Sequence, residues 1–342
     1  MFKGILGKVV EGQSLNRDEA KEAMEIIMSG EATVGQITSF ITALRMKNET
    51  VEEITGFVET MRNKALGITM DTEHLLDTVG TGGDGGISFN ISTASTVVAA
   101  AGGVRIAKHG NRKVSSKSGS ADVLEALGVN INLTPEEAVR CLEETNLCFL
   151  FAPIYHKAMK YAAEPRQQIG FRTVFNMLGP LTNPAGADRQ LIGVYDKDLC
   201  RKFAEVLQNM GSKRALVVAG ADGLDEISIS GITYVAELNG EKIREYTIEP
   251  SQFGLATYPI EAVAGGNATE NAQIIRNIFA GEQGAFRDIV VMNSAASYYL
   301  DEKVPSLAEG VKLAQEIIDT GKAAEKLHHL ITVSSGGVEN AS

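Results

Sequence analysis

Leu75-Leu76-Asp77-Thr78-Val79-Gly80-Thr81-Gly82-Gly83-Asp84-Gly85-Gly86-Ile87-Ser88-Phe89-Asn90-Ile91-Ser92-Thr93 opens with an apolar, strand-like run and ends in the first turn of a helix. Between them lie five glycines in seven positions, 80–86. Such a loop leaves its N–H groups bare, because no Cβ keeps a ligand away. The Ala/Val-rich helix that Ser92 and Thr93 open adds unpaired amides and a dipole that favour negative charge. A second loop follows after one helix and one strand: Lys108-His109-Gly110-Asn111-Arg112-Lys113-Val114-Ser115-Ser116-Lys117-Ser118-Gly119-Ser120. It supplies the cations and hydroxyls that a multiply charged phosphate ester requires. The two loops read as halves of one polyphosphate site.

Other readings of the first loop fit less well. Gly80-x-Gly82-x-x-Gly85 after a strand matches the dinucleotide fingerprint, but that fingerprint opens its helix at once. Here the helix is expected only near Ser92, and Arg105 and Lys108 stand where an acidic ribose ligand belongs. An NADP site would tolerate those cations, so that alternative stays open. A nucleoside-triphosphatase loop is excluded, since no Lys-Ser/Thr follows Gly85 or Gly86. In the second loop, Lys113 and Lys117 also read as solvated charge.

The rest of the chain supplies the frame. Before Pro135 there is no proline, and capping-box spacing occurs at Asn16/Glu19, Thr33/Gln36 and Thr50/Glu53. Apolar residues then recur at helical spacing, as in Ile37, Phe40, Ile41 and Leu44, with Gly30 and Gly67 placed as helix stops. Beyond residue 75 the rhythm becomes strand–loop–helix. Strands are expected at 75–79, 103–107, 148–152, 190–195 and 214–219, with an edge hairpin turning at Asn239-Gly240. Thr134-Pro135-Glu136-Glu137 starts one of the intervening helices. The expected fold is α/β: a small all-helical N-terminal domain plus a large domain with a mainly parallel central sheet flanked by helices. The helical domain is expected to comprise 1–72 plus about 165–187, and the large domain 73–164 plus 188–342.

Bulk composition narrows the function. The 342 residues are 44% hydrophobic and 22% charged, with a formal net charge of −11. That balance argues against nonspecific nucleic-acid or anionic-membrane binding. Against it, residues 105–117 carry five Lys/Arg plus His109 and no acid. Three cysteines, Cys141, Cys148 and Cys200, have no metal-type spacing, and no apolar run approaches the roughly 18 residues of a membrane span. A cytoplasmic protein is expected. Asp222-Gly223-Leu224-Asp225-Glu226 directly follows a strand; its adjacent carboxylates suit either a hydrated turn or Mg²⁺ beside a polyphosphate. Arg166 suits either a substrate carboxylate or a pair with Glu164.

Several of these motifs, in this order, resemble the anthranilate phosphoribosyltransferase family: Gly80-Thr81-Gly82-Gly83-Asp84, Asn90-Ile91-Ser92-Thr93, Lys108-His109-Gly110-Asn111-Arg112, Ser115-Ser116 through Asp122, Arg172-Thr173 through Asn183-Pro184, and Asp225-Glu226. The resemblance covers nearly the whole chain. It implies a homodimer through the helical domain and transfer of phosphoribose from 5-phosphoribosyl 1-diphosphate to the anthranilate amine. By the same resemblance Gly80, Gly83, Asp84, Ser88, Asn90, Ile91, Ser92 and Thr93 hold the sugar diphosphate, completed by Lys108, His109, Gly110, Asn111, Arg112, Lys113, Val114, Ser115, Ser116 and Ser120. Ser92, Asp225 and Glu226 would hold Mg²⁺, two ions per subunit; Gly80, Asn111 and Arg166, with His109, would line the anthranilate path. Ser88 stands where the family commonly has Thr, Lys157 where Pro is frequent, and Asn267 where an acid is usual. Three rivals are a nucleoside phosphorylase of the same fold, a non-enzymatic nucleic-acid-binding relative, and the NADP oxidoreductase. The serine-rich clusters with Asp225-Glu226 disfavour the first, and the acidic balance the second.

Overall fold

The computed structural model describes residues 2–82, 86–113 and 117–337. It begins with four helices: α1 (Phe2–Val10), α2 (Arg17–Met28), α3 (Val34–Lys47) and α4 (Val51–Lys64). The three expected capping boxes are formed, each side-chain oxygen accepting the amide three residues on while that residue's own side chain returns to the cap. Glu53 does more than cap. Its buried carboxylate accepts from the amides of Thr50 (2.7 Å) and Leu15 (2.8 Å) and from Lys47 Nζ (2.8 Å), tying α3, α4 and the α1–α2 turn together. Both of its oxygens thus accept bonds, one of them from a cation, which a buried carboxylate needs. The apolar stripes meet inside the bundle, where the Phe40 ring lies 5.5 Å from Phe2 and 6.1 Å from Phe57. Gly30 takes the left-handed stop (φ 76°). Gly67 does not: α4 ends earlier, Ala65 turns extended, and the Leu66 amide is captured by Tyr155 O at 2.8 Å.

The sheet runs β3-β2-β1-β4-β5-β6-β7. Its strands are β1 (Leu75–Gly80), β2 (Arg105–Gly110), β3 (Leu147–Phe151), β4 (Arg189–Gly193), β5 (Arg214–Gly220), β6 (Thr233–Asn239) and β7 (Lys242–Ile248). The first five pair with one another in parallel and are near-continuously buried, as strands covered on both faces are; β6 and β7 form the antiparallel edge hairpin. β2 starts two residues later than expected, because Gly103 (φ 89°) still belongs to the turn that closes the preceding helix. The chain leaves β1 in one direction through β2 and β3 and returns to its other side as β4. That reversal places the switch point, and with it the crevice for a ligand, between the C-terminal ends of β1 and β4.

The remaining helices are α5 (Ile91–Ala101), α6 (Ser120–Leu127), α7 (Pro135–Thr145), α8 (Ala152–Tyr155), α9 (Lys160–Ile169), α10 (Val174–Leu181), α11 (Asp198–Asn209), α12 (Ala268–Phe279), α13 (Ala285–Leu300), α14 (Leu307–Asp319) and α15 (Lys322–Ser334). One sheet face is covered by a core from α5, α13 and their neighbours. The other face carries α11 and a second core, continuous with the helical bundle, to which α9 and α10 add Ala162, Val174, Phe175, Leu178 and Leu181. This second core places α9 and α10 over the crevice. The three cysteines are buried, and burial pushes Cys141 up to about 11 and Cys200 to about 12, so neither is a thiolate at neutral pH. Among the described residues no helix is long and apolar enough to cross a membrane.

Candidate active site

Two glycines make the floor of the crevice. Gly80 and Gly193 are register partners at the ends of β1 and β4, and the Asp225 backbone lies across both. A Cβ on Gly193 would overlap the Asp225 carbonyl, and one on Gly80 would overlap the Asp225 carboxylate. The loop after β5 is held in shape by its own polar groups. Gly220 N donates to Leu224 O (2.8 Å), while Asp222 accepts from Leu224 N (3.1 Å) and Ser228 Oγ (2.6 Å). Asp225 Oδ2 then accepts from Gly82 N (2.7 Å), and Glu226 Oε1 accepts from Ser92 N (3.1 Å) in the first turn of α5. A carboxylate at that helix terminus is where the macrodipole favours one.

Lys108, at the end of β2, brings the opposite charge. Its buried ammonium donates to Thr78 O (2.5 Å) and Ser92 Oγ (3.2 Å). Burial pushes its pKa down, opposed by the nearby Asp77 and Glu226 carboxylates. Asp77, wholly buried on β1, is raised to about 6 by the same desolvation, and its Oδ1 accepts from His109 N (3.1 Å). Burial, reinforced by His156 with ring centroids 5.1 Å apart, depresses His109 to about 3, so the imidazole is neutral at physiological pH. A depressed folded-state value means the His109 contribution is complete above the ordinary histidine value of 6.5 and is lost as pH falls toward 3. The thermal midpoint should therefore drop with a steeper slope in the wild type than in His109→Gln over that interval. Parallel slopes would remove His109 as a source of acid sensitivity.

These groups open onto one cavity of about 320 Å³. Of the residues singled out in the sequence, its wall contains Gly80, Ser88, Asn90, Ile91, Ser92, Thr93, Lys108, His109, Gly110, Asn111, Arg112, Ser120, Arg166, Asp225 and Glu226. Lys113 is not in the wall; its amide donates to Asp122 Oδ2 (2.9 Å). Arg112 reaches the wall, but its guanidinium pairs with Asp122 (3.1 Å) and Glu125 (2.9 Å) on α6. Gly83, Asp84, Val114, Ser115 and Ser116 lie outside the described residues. Arg166 projects from α9 with its guanidinium carbon 5.5 Å from the Phe175 ring centroid. It makes no ion pair among the described residues, and Glu164 accepts from Gln168 (3.0 Å) instead. The wall also holds Phe89, Ala152, Phe175, Asn176, Gly179 and Pro180, which sequence reasoning did not assign to it. Arg172 fastens the first loop from outside, donating to Gly82 O at 3.1 Å while stacking on Tyr195 at 4.5 Å. Of the three departures from the family pattern, Asn267 caps α12, its Oδ1 accepting from Thr269 N (3.0 Å) and Glu270 N (3.1 Å). Lys157 is exposed and outside the cavity.

Among the described residues no three His, Cys, Asp or Glu side chains cluster into a metal cage. Asp225 and Glu226 are adjacent carboxylates at the cavity, and Ser92, whose amide meets Glu226, lines the same wall. That donor set fits Mg²⁺ arriving with a diphosphate, since this ion takes one or two carboxylates and keeps water or phosphate oxygens for its other positions.

The helical bundle and the α/β unit each match a glycosyl transferase family model. Residues 3–65 match the family model described as "Glycosyl transferase family, helical bundle domain", and residues 72–324 the one described as "Glycosyl transferase family, a/b domain". The chain is 56% identical over 342 residues, the full length of both proteins, to the anthranilate phosphoribosyltransferase of Brevibacillus brevis. It superposes on the crystal structure of the Thermus thermophilus enzyme with a TM-score of 0.92 at 41% identity, covering 97% of this chain and 99% of that one. The Saccharomyces cerevisiae enzyme in complex with PRPP and Mg matches with a TM-score of 0.90 at 28% identity over 98% of each chain. The chain belongs to the anthranilate phosphoribosyltransferase family.

Proposed function

We propose that this protein transfers the phosphoribosyl group from 5-phosphoribosyl 1-diphosphate (PRPP) to the amine of anthranilate. The products are N-(5-phosphoribosyl)anthranilate and diphosphate, the second step of tryptophan biosynthesis from chorismate. The observation that carries the reading is the convergence of the α5 N-terminus, Lys108 and Asp225-Glu226 on one cavity roofed by Arg166. Full-length identity to an enzyme of that name supports the acceptor.

In this reading the amides of the glycine loop and of Asn90 to Thr93 receive the diphosphate, with Lys108, Asn111 and Ser120 closing round the phosphates. Ser92, Asp225 and Glu226 would hold Mg²⁺, two ions per subunit, which would supply charge neutralisation when bound. Gly80, Asn111 and Arg166 line the anthranilate path. The amine nitrogen forms its bond to C1 of the ribose as the bond from C1 to the diphosphate oxygen breaks. Positive charge grows on the sugar and negative charge on the leaving group. Preorganised N–H donors and Lys108 face the leaving group, so they stabilise charge that develops only as the bond breaks. Arg166 and Asn111 orient the acceptor for attack. An arylamine attacks with its own lone pair and loses its proton after bond formation, so no residue is assigned as a general base.

We further propose a small domain of 1–72 plus about 165–187 whose closure over the rest excludes water; α9 and α10 share the core of the bundle, which also continues onto the sheet face under α11. A homodimer through the helical domain and a cytoplasmic location complete the proposal.

Calorimetry with PRPP, with and without Mg²⁺, followed by the loss of anthranilate fluorescence, tests the reading. Absence of Mg²⁺-dependent PRPP affinity would overturn it. Arg166→Ala should raise the KM for anthranilate by roughly 10-fold or more, with a much smaller effect on the KM for PRPP. Equal effects on both would take Arg166 out of the acceptor site.

A further inference from the structure

Asn293 is a fully buried amide in the middle of α13, directly after the apolar run Ile289-Val290-Val291-Met292. A polar group there costs free energy unless its polar atoms are partnered. Both of them are. Oδ1 accepts from Ile227 N (3.0 Å), and Nδ2 donates to Ile227 O (3.0 Å) and to Ile289 O (2.9 Å), one turn back on its own helix. The paired bonds grip the peptide groups of one residue as a neighbouring strand would, and the third locks the side-chain rotamer. Ile227 immediately follows Glu226.

The loop does not need Asn293 for its local shape, because Asp222, Ser228 and Thr233 already close its turn, the last accepting from Ser228 N at 2.9 Å. What Asn293 adds is a tie to α13, and α13 is also bound to α5. Ser95 Oγ donates to Val290 O (3.4 Å), Ser294 Oγ to Ser95 O (3.3 Å) and Tyr298 Oη to Val98 O (2.7 Å). One rigid helix therefore holds both sides of the contact between Glu226 and the Ser92 amide.

We infer that Asn293 is a positioning residue that sets the Asp225-Glu226 loop in register with the α5 N-terminus, and so tunes the affinity for magnesium-bound diphosphate. The inference rests on the proposed role of Asp225 and Glu226. Loss of such a supporting contact typically costs roughly 10- to 100-fold in metal affinity.

The test compares wild type, Asn293→Ala and Ser297→Ala. Ser297 is equally buried on the same helix, and its hydroxyl bonds to Asn293 O (3.3 Å) rather than to the loop. Calorimetry with PRPP in Mg²⁺ should show Asn293→Ala raising Kd by roughly 10- to 100-fold, with the KM for anthranilate unchanged and Ser297→Ala like wild type. Hydrogen exchange of the 224–228 amides should quicken in Asn293→Ala alone. If that variant does not fold, Asn293→Asp keeps the shape and the acceptor for Ile227 N, removes both donated bonds, and is read the same way. Wild-type Kd in the Asn293 variant, or an equal loss in Ser297→Ala, overturns the inference. Failure of the wild type to bind PRPP with Mg²⁺ overturns instead the reading beneath it.

Discussion

Asp225→Asn combined with Glu226→Gln should lower turnover by roughly 10³-fold or more while unfolding remains cooperative near the wild-type midpoint. The amides keep what the fold uses. An Asn oxygen can still accept from Gly82 N and a Gln oxygen from Ser92 N, so the contacts at 2.7 and 3.1 Å survive. The two negative charges are lost, together with one acceptor oxygen on each side chain. One of the charges, on Glu226, opposes the burial that lowers Lys108, as Asp77 also does. The two lost carboxylates are also the donors that fit Mg²⁺. Turnover measured across a Mg²⁺ titration, beside a thermal melt, separates the two roles. Full activity of the double variant at limiting Mg²⁺ would end the metal assignment; collapse of the fold would show that charge, and not only geometry, holds this loop.

How much of this was legible in the sequence depended on how local the signal was. Capping boxes are read within four residues, and those at Asn16, Thr33, Thr50 and Thr134 are all formed. Strands bounded by loops were placed within a few residues, as β1 and β5 show. Gly67 misled because a glycine after an apolar stripe reads as a stop, although a long-range bond from Leu66 to Tyr155 decides where the chain goes. In the site, the cationic and acidic loops announce their chemistry by composition. Phe175, Gly179 and Pro180 reach the cavity only because α10 shares the bundle's core, which no local pattern reports. Asn293 was open to detection, since an amide directly after Ile289-Val290-Val291-Met292 on one helix is a buried polar group awaiting partners. Gly193 carried no signal at all. Inside the strand expected at 190–195 it reads as an ordinary strand position, and its importance lies in what crosses it.

Gly193→Ala should therefore be the most damaging small substitution in the crevice, and Gly80→Ala an instructive contrast. At Gly193 the added methyl meets the carbonyl oxygen, carbonyl carbon and Cα of Asp225, all of them backbone. Nothing there can rotate away; the loop must lift or β4 must shift. Overpacking of a well-filled region costs about 1–3 kcal/mol, and a backbone overlap belongs at or beyond the top of that range. Lifting the loop would also break the contact between Glu226 and Ser92, so activity should fall by at least about 10²-fold even where the chain still folds. At Gly80 the added methyl meets chiefly the far end of the Asp225 side chain. That carboxylate can swing aside and spare the fold, but it then leaves the Gly82 amide and the place where a cation would be held. The expected pattern is a lowered melting temperature with lost activity for Gly193→Ala, against a near-wild-type melt with a raised Mg²⁺ requirement for Gly80→Ala. Near-wild-type stability and activity in Gly193→Ala would mean that Asp225 does not lie across β4 in solution.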